Sequence, residues 1–276
     1  MTPAEISRQV ARDLYTLDTQ GYVVVENALS AAQVDELLEG VAHGVELDPP
    51  TANKSQDDGS SRRYSGCLRW GAPFVRLVDN PRVTPLLHGA LGADVRLDHE
   101  YTHCLERNTS GTPVIRGQIH GGPGNQAGGW NLGTMISVVY DLVDVDPADG
   151  GFGAVAGSHH AAFRLPIPSR VDPETQTYPD LVTRVSCKAG SAIVFTESMA
   201  HCTLPWTGEG ERITLFYKYT ALADSPSVFT RNYAEIREGF PAGTLPQGVA
   251  RLLRLPAGTE DDLDFQERAL NLPGRL

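Results

Sequence analysis

Apolar residues at Ile6, Val10, Leu14 and Leu17 recur every three or four positions, which predicts an amphipathic helix over the first twenty residues. Thr2, Pro3 and Glu5 supply its N-cap, a proline at the first helical position and a capping-box acid, and Gly21 ends it. The apolar run 22–25 predicts a short strand. Ser30 and Gln33 form a second capping box, Leu29 and Val34 stand at the positions of a hydrophobic staple, and Val34, Leu37, Leu38 and Val41 make the stripe of the next helix. The pattern then lapses over 46–80, where Pro49-Pro50, Asp57-Asp58-Gly59 and Arg62-Arg63 read as a long, lid-like loop. A short helix fits 81–91.

From about residue 93 the period changes to that of strands. Segments 95–97, 101–105, 114–119, 134–140, 152–155, 184–186, 192–195 and 213–219 are short and rich in β-branched and aromatic residues, and glycine-bearing turns such as Asp149-Gly150-Gly151 separate them. Short strands between such turns predict a sandwich or jelly roll. The tail after 225 reads as mixed helix and loop, with an acidic, solvated patch at 260–262. No internal repeat or heptad run is present.

Composition narrows the function classes. The 276 residues carry 23 Lys+Arg against 34 Asp+Glu, a net charge of −11, which excludes a general binder of polymeric nucleic acid. Hydrophobic residues at 41% and charged ones at 21% are those of a globular protein, with length for one large domain or two small ones. No apolar run approaches the roughly 18 residues of a membrane span, and the N-terminus lacks a signal-peptide pattern, so a cytoplasmic location is expected. Cys67, Cys104, Cys187 and Cys202 are far apart, which excludes a zinc ribbon or thioredoxin-type pair and leaves buried thiols as the expectation.

Of the eight histidines, His43, His88 and His99 have no neighbours at metal-ligand spacing, His103 lies in a predicted strand, and His159-His160 sit at a turn with a structural or surface role. His120 and His201 stand apart. His120 enters the glycine-rich run Gly121-Gly122-Pro123-Gly124; His201 opens His201-Cys202-Thr203-Leu204-Pro205-Trp206, with Arg212 eleven positions on.

The flanks of these residues resemble the phytanoyl-CoA dioxygenase family of iron(II)/2-oxoglutarate oxygenases. Segment 21–29 resembles its N-terminal strand and helix entry. Asp149-Gly150-Gly151-Phe152 with Ala156-Gly157-Ser158-His159 is similar to its central hairpin, where a proline usually stands at the position of Ala156. Segment 188–195 resembles the approach to its distal histidine. The resemblance implies a mainly β (α+β) fold. Its core would be a double-stranded β-helix, jelly-roll or cupin-like, flanked by N- and C-terminal helices in a single domain over 1–276. It also implies His120 and His201 as iron(II) ligands, with Arg212 and Thr203 on the far carboxylate of 2-oxoglutarate and O2 as the other cosubstrate.

One departure matters most. Where the family carries the aspartate of its His-x-Asp motif, this sequence has Gly122, which has no side chain to ligate a metal. Three readings are open. Halogenases of this class resemble the hydroxylases but carry Gly or Ala here, and chloride fills the vacancy, so the chain would chlorinate an unactivated aliphatic C–H bond in natural-product biosynthesis. A hydroxylase would use water, or a carboxylate from elsewhere such as Glu197. A non-catalytic relative would only bind a ligand. For substrate, Arg62, Arg63, Tyr64 and Arg69 in and after the loop, Arg116 before His120 and Trp130 after the glycines are candidates to hold a phosphate and stack a ring. A free nucleotide or another small anion fits them; a carrier-tethered substrate is the alternative. Oligomeric state is not legible.

Overall fold

The computed structural model describes residues 3–48, 61–107, 135–162, 181–224, 233–240 and 244–256. Helix α1 (Pro3–Gln20) leads into β1 (Tyr22–Val25) and α2 (Ala31–Leu47). The capping box at Ser30 is formed, with the Ser30 side chain accepting from the Gln33 amide and the Gln33 side chain accepting from the Ser30 amide. Val34, Leu37 and Val41 are the buried stripe of α2. Two glycines let this helix press against aromatic rings: a Cβ on Gly44 would lie 2.1 Å from the Trp70 ring, and one on Gly40 would lie 2.7 Å from Phe74.

The remaining elements are β2 (Ser61–Ser65), α3 (Ala72–Arg76), α4 (Thr84–Leu91), β3 (Val95–Leu105), β4 (Met135–Asp141), β5 (Gly151–Ala154), β6 (Thr183–Val185), β7 (Ala192–Thr196), β8 (His201–Leu204), β9 (Arg212–Ala221), α5 (Ala234–Gly239) and α6 (Gln247–Leu252). Six strands form one antiparallel sheet in the order β1-β7-β4-β9-β3-β2, and three form a second in the order β6-β5-β8. This is the jelly-roll core with flanking helices that the strand pattern and the resemblance led us to expect.

Because side chains alternate across a strand, the larger sheet has two different faces. Val138, Tyr140, Val194, Leu215, Tyr217 and Tyr219 lie on one and pack with the stripe of α2 and with Phe74, Val78, Leu86 and Leu87 in the main hydrophobic core. The tyrosine hydroxyls on this face are satisfied by backbone: Tyr217 donates to Phe74 O at 2.7 Å and Tyr219 to Val78 O at 2.9 Å. The opposite face looks toward the smaller sheet, and there Val139, Ile193 and Phe195 meet Phe152, Ala154, Val185 and Met199.

Three sequence expectations change. Residues 61–79, read as part of a loop, form β2, α3 and two short turns of 3-10 helix, because Tyr64, Cys67, Leu68, Phe74, Val75, Leu77 and Val78 are core residues. The segments 95–97 and 101–105 are one strand, continuous through an irregularity between Leu97 and His99. His99, which fell between those two predicted segments, is buried in that strand with Nδ1 2.7 Å from the Asp98 carboxylate. The predicted strand 114–119 lies outside the described residues. No helix among the described residues is long and apolar enough to cross a membrane.

Candidate active site

Strand β8 carries His201 and Thr203 two residues apart, hence on one face, paired with Ala154 and Phe152 of β5. Their side chains turn toward the larger sheet, where the His201 ring meets Phe152 at 6.0 Å and Phe195 at 4.7 Å between centroids. His201 Nδ1 lies 2.8 Å from the Met199 carbonyl. A carbonyl only accepts, so Nδ1 carries the proton and Nε2 is left with its lone pair. Burial lowers the His201 pKa, partly offset by Glu197 and the Met199 carbonyl, which keeps the ring neutral near pH 7. The approach to His201 is fixed from the hairpin: the buried Ser158 hydroxyl accepts from the Ala200 amide at 2.8 Å. That contact ties the turn at Gly157-Ser158 to the start of the strand that carries the distal histidine. His159 and His160 lie 2.8 and 2.9 Å from the Asp18 carbonyl near the end of α1, the structural role expected of them.

Glu197 reaches the same space from the turn after β7. It is 6% exposed, with Oε2 3.9 Å from His201 Nε2. Its other oxygen, Oε1, takes two donors from the larger sheet: Lys218 Nζ at 2.7 Å and the Ser137 hydroxyl. Burial opposes the charge on Glu197, but Lys218, His201 and the two hydrogen bonds outweigh it and hold the carboxyl down at about 2. Lys218 is buried as well; Glu197 outweighs that burial and raises its pKa, so both partners stay charged.

The far end of the site is built on the first residue of β9. Arg212 is 3% exposed, and its Nη2 lies 2.7 Å from the fully buried Asp141 at the end of β4. Its Nε is buried without a hydrogen-bond partner among the described residues. Gly151 is what lets the guanidinium lie there, since a Cβ at that position would sit 3.2 Å from Arg212 Nε. Nearby, His103 Nε2 is 2.7 Å from Ser61 Oγ, and burial, with Arg212 and Arg63 adding to it, pushes the His103 pKa down to about 3.

The candidate substrate residues divide by strand alternation. In β2, Arg63 pairs with His103 on the face toward the site and stacks 3.5 Å above the Tyr101 ring, itself stacked on Phe216. Arg62 and Tyr64 lie on the other face: Arg62 pairs with Glu211 at the edge, and Tyr64 is 4% exposed in the helix-side core against Trp70. Arg69 lies 3.7 Å from Asp48 at the end of α2. The structure thus brings His201, Thr203, Arg212 and Arg63 toward one space and leaves Arg62, Tyr64 and Arg69 outside it. His120, Gly122, Arg116 and Trp130 lie outside the described residues. Sequence reasoning missed Lys218, Ser137, Asp141 and Tyr101. A signal existed for Lys218: Arg212, Thr214, Phe216 and Lys218 alternate along one strand, so the arginine already marked which face the lysine shares.

Among the described residues no group of three His, Cys, Asp or Glu side chains is placed to hold a metal. The pair His201 and Glu197 nonetheless suits a divalent ion, offering one neutral imidazole nitrogen and one ionised oxygen. Arg212, with a buried N–H left over after Asp141, suits the carboxylate of a small diacid.

The phytanoyl-CoA dioxygenase (PhyH) family model matches residues 17–214. No curated protein matches the sequence. Among solved structures, HygX from Streptomyces hygroscopicus with nickel and 2-oxoglutarate bound is similar at 19% identity and TM-score 0.61, over 76% of this chain and 86% of that one. The epimerase SnoN in complex with Fe3+, alpha ketoglutarate and nogalamycin RO is similar at 17% identity and TM-score 0.62, over 92% and 98%. The carbocyclase SnoK from nogalamycin biosynthesis is similar at 17% identity and TM-score 0.57, over 83% and 90%. At these identities the likeness is one of fold. The family match spans well over half of the sequence, and the chain belongs to the phytanoyl-CoA dioxygenase family of iron/2-oxoglutarate-dependent oxygenases.

Proposed function

We infer that this chain uses iron(II), 2-oxoglutarate and O2 to functionalise an unactivated aliphatic C–H bond of a free small molecule. The observation that carries this reading is the pairing of two features on consecutive strands of the two facing sheets: His201 with its Nε2 lone pair aimed between the sheets, and Arg212 with a buried N–H that its partner Asp141 leaves unused. Iron bound there supplies activation of O2 coupled to decarboxylation of the cosubstrate. His201 and, from the family motif, His120 hold the metal. Arg212 orients the far carboxylate of 2-oxoglutarate by charge-assisted hydrogen bonds, with the Thr203 hydroxyl beside His201 on the same strand face. Phe152, Phe195 and Phe216 keep water from the walls of the site.

Two readings of the group transferred have support. Gly122 favours chlorination, since it leaves a place for chloride beside the iron. Glu197 favours hydroxylation, since an ionised carboxylate stands next to His201 without it. On the substrate side, Arg63 over Tyr101 favours an anionic group, and a nucleotide is one such molecule. The natural-product ligands of HygX and SnoN agree with a small metabolite and do not distinguish a nucleotide from other polar molecules: structures of HygX with hygromycin B and of SnoN with nogalamycin RO are similar to this chain.

The test supplies iron(II), 2-oxoglutarate and air to the purified protein with a panel of nucleotides and polar metabolites, and follows succinate. Substrate-stimulated succinate supports the enzyme; none, with any metabolite, points to the non-catalytic binder. Product mass with chloride and with bromide then separates the readings. A product that gains only oxygen under either halide ends the halogenase reading, and a chlorinated product ends the hydroxylase one. Gly122→Asp abolishes chlorination in a halogenase, because the new carboxylate takes the halide's place.

A further inference from the structure

We propose that Glu197 supplies to the metal the carboxylate that the family motif lacks at Gly122. The inference rests on the reading of the chain as an iron(II)/2-oxoglutarate enzyme and deepens it.

Position comes first. Two donors on one ion, each at about 2.0–2.2 Å, lie at most roughly 4.3 Å apart. Neighbouring donors at a right angle lie roughly 3 Å apart, so Glu197 Oε2 and His201 Nε2, at 3.9 Å, need to close by about 1 Å to share an ion. Nothing else acidic among the described residues approaches His201: Asp141 is committed to Arg212 at the far end of the site, and Asp98 to Arg96 and His99.

The division of labour between the two oxygens comes second. Lys218 Nζ and the Ser137 hydroxyl both converge on Oε1, the oxygen turned from the histidine in this contact. A carboxylate held through one oxygen so that the other is presented to a metal is the usual arrangement of outer-sphere support. A merely structural Glu197–Lys218 pair has no need for the second oxygen to face an imidazole nitrogen whose proton has been fixed on the far side. Such a pair, buried in a protein interior, is also weak evidence for stability in itself.

The charge follows. With Gly122 in the motif, two neutral histidines leave the metal with no protein anion. Glu197 restores that charge, whereas a halide would have to bring it from solution. The proposal therefore also predicts that chloride does not affect the product.

The test is metal affinity rather than turnover. Iron(II), or cobalt(II) as its redox-stable substitute, is titrated anaerobically into wild type and Glu197→Gln with 2-oxoglutarate present, by calorimetry and by metal-induced thermal shift. Even support groups around ligands cost about 10–100-fold in affinity, so loss of a direct ligand weakens binding by roughly 100-fold or more. Because Glu197→Gln leaves Lys218 buried without its anion, Glu197→Gln/Lys218→Met removes both charges and keeps the test valid if the single variant does not fold. Gly122→Asp added to that double variant restores affinity. Wild-type metal affinity in the folded double variant overturns the proposal and makes Glu197 a structural partner of Lys218, while the enzyme reading stands. Failure of the wild type to bind either ion with 2-oxoglutarate overturns the enzyme reading itself, and the proposal with it.

Discussion

Arg212 shows how much one residue depends on its neighbours. Its guanidinium is paired with Asp141 and boxed by Gly151, so one N–H edge is committed to the protein and the rest is available to a ligand. Lysine at this position keeps the charge but offers a point rather than a fork. Each hydrogen bond to a charged group is worth about 1.5–3 kcal/mol, so Arg212→Lys weakens 2-oxoglutarate binding roughly tenfold or more. Calorimetry on the metal-loaded protein measures this, and unchanged affinity would remove Arg212 from the cosubstrate site. At the same scale, Arg62-Arg63-Tyr64 shows where reading single residues fails. Their chemistry is visible in the sequence, but three consecutive strand residues cannot face one cavity, and only Arg63 does. The missing information was that 61–65 is a strand at all. Its polar, serine- and arginine-rich composition hides the one buried position, Tyr64, that anchors it.

At the scale of elements, the turn before β5 and the first residue of β9 form one unit. Gly150 and Gly151 both have φ of +87°, and a Cβ on Gly150 would meet the Pro205 carbonyl oxygen at 1.8 Å. The Asp149-Gly150-Gly151 signal therefore does more than reverse the chain: it permits β5 to lie against the end of β8 and leaves room for Arg212. Gly151→Ala forces a side chain into the positive-φ region, at about 1–3 kcal/mol, and crowds Arg212 Nε. The expected outcome is a lower melting temperature together with weaker 2-oxoglutarate binding. A melting shift with unchanged cosubstrate affinity would show that the turn and the arginine are independent. The cap of α2 gives the contrast. Ser30→Ala loses about 1 kcal/mol of stability, read by thermal or denaturant unfolding, and leaves cosubstrate binding unchanged, because that helix packs on the far face of the sheet. Elements with a strict period, α1, α2, β4, β7 and β9, were legible in the sequence. β8 was not, since four residues interrupted by no turn signal and dominated by His-Cys-Thr give neither a helical nor a convincing strand pattern.

The whole molecule places its charges unevenly. The chain as a whole has a net charge of −11, whereas among the described residues the space between the sheets is lined by Arg63, Lys218 and Arg212 against Glu197 and Asp141, with His103 and His201 held neutral. That interior was partly legible: the motif histidine and arginine announced it, but the partners Lys218, Ser137 and Asp141 come from strands whose register only the folded chain reveals. Its consequence is a pH dependence of stability. His103 ionises near 6.5 when exposed, and burial lowers this to about 3. Between those values the unfolded chain binds a proton that the native site refuses, so stability is complete above about pH 6.5 and declines as the pH falls toward 3. His99 and His201, also lowered by burial, act in the same direction. Glu197 adds its own loss only below its ordinary value of 4.5, as the pH falls toward about 2. The histidines can thus be separated from Glu197 by working between pH 6.5 and 4.5 with metal-free protein; Asp141, whose pKa burial raises, works in the opposite sense but is common to wild type and variant. There His103→Gln, which retains a partner for Ser61 but cannot be protonated, gives a shallower decline in unfolding free energy than wild type. A slope identical in the two proteins would mean that His103 takes up its proton without opening the site, and that the gap between the sheets admits water far more freely than its aromatic walls imply.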